Sequence, residues 1–300
     1  MKYTGTIYRP PFESRSLLLQ VTSGCSHNQC SFCIMYKDIP FEMETLEQIE
    51  QDLKEARKTY RQISRVFLVN GDPFVLNAKR LKEIAQKINE ILPEVETIAM
   101  YASVNTITDK TDDELRELRA LKINDLNIGV ESGMHEVVQR FNKGYMVDEA
   151  KRQLHRLTDA GMEFSINIII GGAGSGKGFE HAMANSQLLN EVKPKLIFVG
   201  GLHVEQETQI AEDIRSGTFV ESTLRECIEE EQEMLKRLNL KNCIFFGVHP
   251  SNPVPVYGIL PQDKEDMLAE LEDGLRTIRI KYLDAPYLEK GQQGTLNIRN

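Results

Sequence analysis

The sequence predicts an α/β chain, a partial (β/α)6 TIM-like barrel with a C-terminal extension. Six apolar runs of strand length alternate with helix-period segments from near residue 17 to about residue 250. No Pro/Gly/Ser-rich linker or low-complexity stretch interrupts that alternation. At 300 residues the chain is long enough to bury a large core.

The strand runs are SLLLQVT (16–22), RVFLVN (65–70), TIAMYAS (97–103), DLNIGV (125–130), FSINIII (164–170) and KLIFVG (195–200). Between the first two, Leu46, Ile49, Leu53 and Tyr60 share one helical face, with Glu47, Glu50, Asp52 and Lys54 away from it. Segments 77–92, 111–121, 147–160 and 178–191 read as helices in the same way, and Thr111 followed by Glu114 forms a capping-box pattern. Beyond the last crossover, 201–220 reads as a loop, 221–239 as an acidic helix and 242–249 as a further strand. Four prolines in 249–261 argue against regular structure there; a helix over 262–277 and a weakly ordered polar tail over 278–300 follow. Residues 1–250 are expected to form the core, with its cysteine loop at 24–36, and 251–300 an extension within the same domain.

A net charge of −9 argues against nucleic acid as the main partner, because such binding depends on Lys and Arg displacing counterions. The N-terminal residues lack a secretory pattern, and no run approaches the roughly 18 apolar residues of a membrane span. A cytoplasmic protein with no membrane partner is expected. Cys227 and Cys243 lie far from the other three cysteines and read as packed thiols, which suits a reducing compartment.

Cys25, Cys30 and Cys33 fall within nine residues, directly after the first strand. That is the C-terminal strand end, where parallel α/β folds bind ligands. Three clustered thiolates suit a metal or an iron–sulfur cluster, and leave one coordination position open. A structural zinc site completed by His27 or a distant thiol is the alternative on the residues alone.

Polar residues recur at the ends of the following strands: Asn70-Gly71-Asp72-Pro73, Ser103 with Asn105, Gly129-Val130-Glu131-Ser132-Gly133, Phe141-Asn142-Lys143-Gly144, and Asn167 ahead of Gly171-Gly172. With the C-x4-C-x2-C run, this order resembles the radical S-adenosylmethionine (SAM) superfamily, in particular its oxygen-independent coproporphyrinogen oxidase-like branch. The superfamily's usual spacing is C-x3-C-x2-C, so one residue is inserted between Cys25 and Cys30. The resemblance covers roughly residues 1–250. It implies a metal-binding oxidoreductase in which Cys25, Cys30 and Cys33 ligate a [4Fe–4S] cluster whose open iron takes the amine and carboxylate of S-adenosyl-L-methionine. It further implies reductive SAM cleavage to a 5′-deoxyadenosyl radical, hydrogen abstraction from an organic substrate, and an external one-electron reductant such as flavodoxin or ferredoxin. Phe32, Gly71, Asp72, Ser103, Glu131, Lys143 and Asn167 would hold SAM. Gly71 and Asp72 would meet the amino group, Ser103 the methionine moiety, Glu131 and Asn167 the ribose, and Lys143 the carboxylate.

Two further stretches carry competing readings. Gly171 to Gly178 has the outline of a phosphate loop ending in Lys177, but Gly178 stands where a magnesium-holding hydroxyl belongs; an ATP-dependent enzyme is the weaker alternative. The run Glu226–Glu233 reads as a solvated helix face. His249, Ser251, Asn252 and Tyr257, on a proline-stiffened loop after a strand, are candidate substrate contacts. The substrate itself cannot be read from the residues.

Overall fold

The computed structural model describes residues 1–286. A short 3-10 turn at Pro11–Glu13 precedes β1 (Leu17–Gln20), β2 (Thr22–Ser23), β3 (Glu42–Met43), α1 (Leu46–Thr59), β4 (Arg65–Val69), α2 (Ala78–Ile91) and β5 (Thr97–Ala102). Then come α3 (Val104–Thr108), α4 (Asp112–Ala120), β6 (Ile123–Glu131), α5 (His135–Arg140), α6 (Val147–Asp159), β7 (Phe164–Ile170), α7 (Gly178–Val192) and β8 (Leu196–Gly201). The chain continues through α8 (Gln209–Arg215), α9 (Leu224–Arg237), β9 (Cys243–Phe246), β10 (Tyr257–Leu260), α10 (Lys264–Thr277) and α11 (Ile280–Leu283).

The chain divides into two compact units. The first comprises residues 1–28, 35–129 and 152–164; the second comprises 29–34, 130–151 and 165–300, of which the described part ends at 286. In the first unit β1, β4, β5 and β6 follow one another as parallel neighbours, Leu19 beside Leu68 and Leu68 beside Met100. Their side chains are nearly all buried, as expected of parallel strands covered on both faces. The helix α1 turns Ile49 and Leu53 inward, and α2 does the same with Leu81, Ile84 and Ile88. Burying side chains of this size stabilises by about 1.5–3 kcal/mol each. Arg65 anchors the strand starts, bonding Glu13 through Nε at 2.8 Å and pairing with the buried Asp125.

In the second unit β7, β8 and β9 are parallel and β10 returns antiparallel to β9. One face of these strands, with Ile197, Val199, Cys243, Phe245 and Leu260, is fully buried. The other carries Phe198, Phe246 and Tyr257 as cross-strand neighbours, with rings 5.7 Å apart at each step. The chain is therefore α/β with mostly parallel strands, as expected from the sequence.

Local expectations held where periodicity was clear, and Thr111 caps α4 in a full capping box with Glu114. Tyr60 is a correction: it lies one residue past α1 and is exposed, because the helix ends before completing the turn that would bury it. Residues 201–220 are not all loop, since Thr208 caps the short helix α8. The proline-rich segment also contains a strand, β10, whose four residues 257–260 precede Pro261 and are free to pair with β9. Of the tail expected over 278–300, residues 287–300 lie outside the described residues.

Candidate functional site

In the first unit the ends of β1 and β4 are tied together. Asn70, at a left-handed φ of 78°, donates from Nδ2 to the Thr22 carbonyl at 2.8 Å. Asparagine tolerates that backbone region better than most residues. The next amide, Gly71 N–H, donates to the Gly24 carbonyl at 3.1 Å, holding the start of the cysteine loop against the end of β4. No side chain fits at residue 71: a Cβ there would lie 2.5 Å from Cys25 Cβ and 2.9 Å from the Gly24 carbonyl oxygen. Gly24 is as constrained, with φ 65° and its own space filled by the Ile39 carbonyl.

Asp72 is buried, and its Oδ1 accepts from the Thr106 hydroxyl at 3.2 Å. The Ser103 hydroxyl caps α3, accepting from Thr106 N–H. Thr106, which the sequence did not single out, thus joins two strand-end segments. Lys110 is buried below them and donates to the Phe74 and Thr106 carbonyls at 2.6 and 3.0 Å; burial pushes its ammonium down to about 8.

In the second unit the rest of the cysteine loop, residues 29–34, docks on the end of α5. Ser31 N–H donates to the Phe141 carbonyl at 3.1 Å, its hydroxyl donates to the Arg140 carbonyl, and Phe32 packs on Phe141 with ring centroids 4.7 Å apart. Lys143 and Glu131 are both buried and pair at 3.1 Å. Burial alone would lower the Lys143 ammonium, but the charges of Glu131, Tyr145 and Cys30 more than offset it and hold it well above the usual lysine range. The Lys143 Nζ also sits 5.9 Å from the Phe32 ring centroid.

Glu131 is held at φ 70°, a left-handed conformation that costs a non-glycine residue on the order of 1–3 kcal/mol and persists only where its surroundings enforce it. Here the following residues do so. Ser132 Oγ accepts from Met134 N–H at 2.8 Å and lies 2.7 Å from His181 Nε2; Gly133 N–H donates to Asn185 Oδ1 at 2.6 Å. His181 Nδ1 is 2.7 Å from Glu230 Oε1. His181 is a further residue that sequence reasoning missed; it lies on the buried face of α7 with Ala182, Asn185 and Leu189.

Asn167 is half-buried on β7 beside Phe198 of β8. Among the candidate substrate contacts, Asn252 is committed to structure: Nδ2 donates to the Val199 and Gly247 carbonyls and Oδ1 accepts from Gly201 N–H. His249 Nδ1 lies 2.6 Å from Ser251 Oγ and accepts from Ser251 N–H, while its ring packs edge-on against Phe198. Burial, with His203 nearby, lowers the pKa of His249 from its ordinary value. Tyr257 is exposed on β10.

The glycine-rich run is not arranged for phosphate. The amides of Gly176 and Gly171 donate to the carboxylates of Glu226 and Glu230 at 2.7 and 3.1 Å, and Ser175 Oγ donates to Glu226 at 2.8 Å. Anionic side chains occupy the donors that a phosphate loop would turn toward nucleotide. The acidic stretch of α9 is likewise not a solvated face, since Glu230, Glu231 and Gln232 are buried. His181 and the Gly171 amide compensate Glu230, whereas burial beside Glu230 pushes Glu231 up to about 8.

Cys25, Cys30 and Cys33 are partly exposed, and Cys227 and Cys243 are buried. Burial raises both distant thiols, Cys243 to about 12, which suits packing rather than ligation. Among the described residues no group of three or more His, Cys, Asp or Glu side chains is placed to hold a metal ion. Three thiols are the donor number of a cluster with three cysteinyl ligands, and Gly71 leaves the space in which Cys25 sits. Among the described residues no helix is long and apolar enough to cross a membrane.

Comparison with known proteins points the same way. The sequence pattern of the Radical SAM superfamily matches residues 19–185. The heme chaperone HemW of Bacillus subtilis (strain 168) is 22% identical over 187 residues, 56% of this chain and 49% of its own; the chain spans about half the length of this relative. Among solved structures, methylornithine synthase (PylB) is similar at TM-score 0.56 and 17% identity, over 85% of this chain and 68% of the other. Coproporphyrinogen III oxidase (HemN) from Escherichia coli is similar at TM-score 0.55 and 18% identity, over 74% of this chain and 51% of the other. Identities this low show the fold alone.

Proposed function

Because the chain belongs to the radical SAM superfamily, we propose that it is an enzyme that abstracts hydrogen from an organic substrate, with Cys25, Cys30 and Cys33 as the cluster ligands. Its cofactors are a [4Fe–4S] cluster and SAM, which together supply reductive cleavage of a sulfonium carbon–sulfur bond. The observation that carries the reading is the close approach of Gly71 to Cys25, which leaves no room for a side chain beside the first thiol.

The roles of the remaining residues follow from their chemistry. The Gly71 backbone, fixed through Gly24, offers a carbonyl to the amino group of SAM, and buried Asp72 keeps that turn in place through Thr106. An ammonium carries three donors, so Lys143 can serve a ligand carboxylate while bonded to Glu131. Glu131 accepts from the ribose hydroxyls, Asn167 adds a second polar contact to the ribose, and Phe32 covers Lys143 from one side. Ser103, already capping α3, lines the methionine end. His249, braced by Ser251, can donate through Nε2 to a substrate, and Tyr257, exposed on β10, is a second candidate contact; Asn252 holds the loop that carries His249. Residues 1–250 would form the catalytic core and 251–300 its extension. An external one-electron donor such as flavodoxin or ferredoxin would serve it, and a cytoplasmic setting suits the buried, unreactive thiols of Cys227 and Cys243.

The test is anaerobic reconstitution with iron and sulfide, followed by reduction with dithionite in the presence of SAM. The reading expects a brown protein whose reduced-cluster signal is perturbed by SAM, and release of 5′-deoxyadenosine. A colourless protein that does not cleave SAM overturns it. The match to a heme chaperone favours a second reading, a carrier rather than a catalyst; that reading expects SAM binding and stable heme uptake without substrate turnover.

A further inference from the structure

A buried chain of polar groups runs behind Glu131. The hydroxyl of Ser132, the ring of His181 and the carboxylate of Glu230 follow one another at 2.7 Å per step, and all three are withdrawn from solvent. The Ser132 hydroxyl shares a hydrogen bond with His181 Nε2 and its oxygen accepts from Met134 N–H at 2.8 Å, while His181 Nδ1 meets Glu230 Oε1 as a close polar contact rather than an aligned hydrogen bond. Glu230 is itself braced by the Gly171 amide at 3.1 Å.

One turn further along α7, Asn185 accepts from Gly133 N–H at 2.6 Å. A Cβ at Gly133 would sit 2.3 Å from the Ala184 carbonyl, so this turn lies directly on the helix backbone. The three-residue turn Glu131-Ser132-Gly133 is thus fastened at its second and third residues to α7, and through His181 to α9. Its first residue is the one in the left-handed conformation. Two buried hydrogen bonds, Ser132 to His181 and the Gly133 amide to Asn185, therefore hold the turn, and bonds in so dry an interior are stronger than in water.

We propose that Ser132, His181 and Glu230 form a positioning relay, with Asn185 as a second clasp, that fixes the Glu131 carboxylate for the ribose hydroxyls of SAM. The proposal rests on the assignment of Glu131 to the ribose made above. These residues touch neither cofactor nor substrate; they act by holding the backbone on which Glu131 is carried. A loosened turn lets Glu131 relax from its left-handed φ and withdraws its carboxylate from the ligand.

Calorimetric titration of the reconstituted holoprotein with S-adenosyl-L-homocysteine and with its 2′,3′-dideoxyribose analogue separates the possibilities, since the ratio of the two affinities reports the ribose contact alone. Glu131→Gln is expected to weaken the parent ligand about tenfold more than it weakens the analogue, the scale of one charge-assisted hydrogen bond. Ser132→Ala and Glu230→Gln are each expected to lower the ratio about fivefold, and to lower it no further when combined with Glu131→Gln. Near-ultraviolet circular dichroism identifies any variant that does not fold, and the small Ser132→Ala change keeps the test open if Glu230→Gln is one of them. Relay variants that keep the wild-type ratio, or weaken both ligands equally, overturn the relay while leaving Glu131 in place. A ratio untouched by Glu131→Gln overturns the ribose assignment, and the relay with it.

Discussion

Gly71 and Cys25 approach so closely that a Cβ on residue 71 would fall 2.5 Å from the Cβ of Cys25. Neither contact atom is the far end of a flexible chain, so a substitution must shift the backbone of the cysteine loop or of the turn after β4. Gly71→Ala is therefore expected to lower the stability of the apoprotein by about 1–3 kcal/mol, as overpacking does. After reconstitution it should hold less than half the wild-type iron per chain. Full iron content with an unchanged cluster signal would show that the approach is unimportant to the ligand.

The pair between Lys143 and Glu131 makes an asymmetric prediction. Removing one partner leaves a buried charge without its counter-ion, and Lys143→Met should destabilise by about 3–5 kcal/mol. The double variant Lys143→Met/Glu131→Gln should recover more than half of that loss. Urea unfolding of the two single variants and the double variant, under anaerobic conditions, measures the coupling directly; additive losses would mean the pair is not a unit.

Glu231 sets a pH dependence. Its carboxyl is raised to about 8 in the folded protein against 4.5 for an ordinary glutamate, so the folded state holds a proton that the unfolded state releases. This group favours folding most below pH 4.5, and its contribution declines as pH rises to about 8, by roughly 1.4 kcal/mol per pH unit at most. Glu231→Gln should flatten the stability profile between those limits and make the variant more stable than the parent at pH 8.5. A profile parallel to the wild type across the window would refute the shift.

The loop at 171–178 yields a negative result that can be checked. With its amides engaged by Glu226 and Glu230, Lys177→Ala should leave SAM cleavage within about twofold of wild type, as expected for a surface change. Equilibrium dialysis with ATP and magnesium should show no saturable binding. Saturable binding lost on Lys177→Ala would restore the nucleotide reading.

Much of the fold could be read in advance, since periodicity records which face of each segment is buried. Ile49 and Leu53 on α1, and the capping box of Thr111 and Glu114, are examples settled within a few residues of chain. Proximity in the chain likewise brought out Cys25, Cys30 and Cys33. Glu230 shows the opposite case: an acidic run was expected to face water, but this buried carboxylate meets His181 and the Gly171 amide, some 50 to 60 residues earlier. Thr106 was missed for the same reason, since its link to Asp72 crosses 34 residues.

By itself the sequence determined the α/β alternation, the three clustered thiols and their place after β1, because these depend on local pattern and short spacing. Only the tertiary structure decided that Gly71 makes room for Cys25, that Lys143 pairs with Glu131, and that the glycine-rich run turns its amides to carboxylates. Those outcomes depend on which groups meet across long separations. In a low-dielectric interior, the partner a buried charge or amide finds decides whether it binds a ligand or holds the fold.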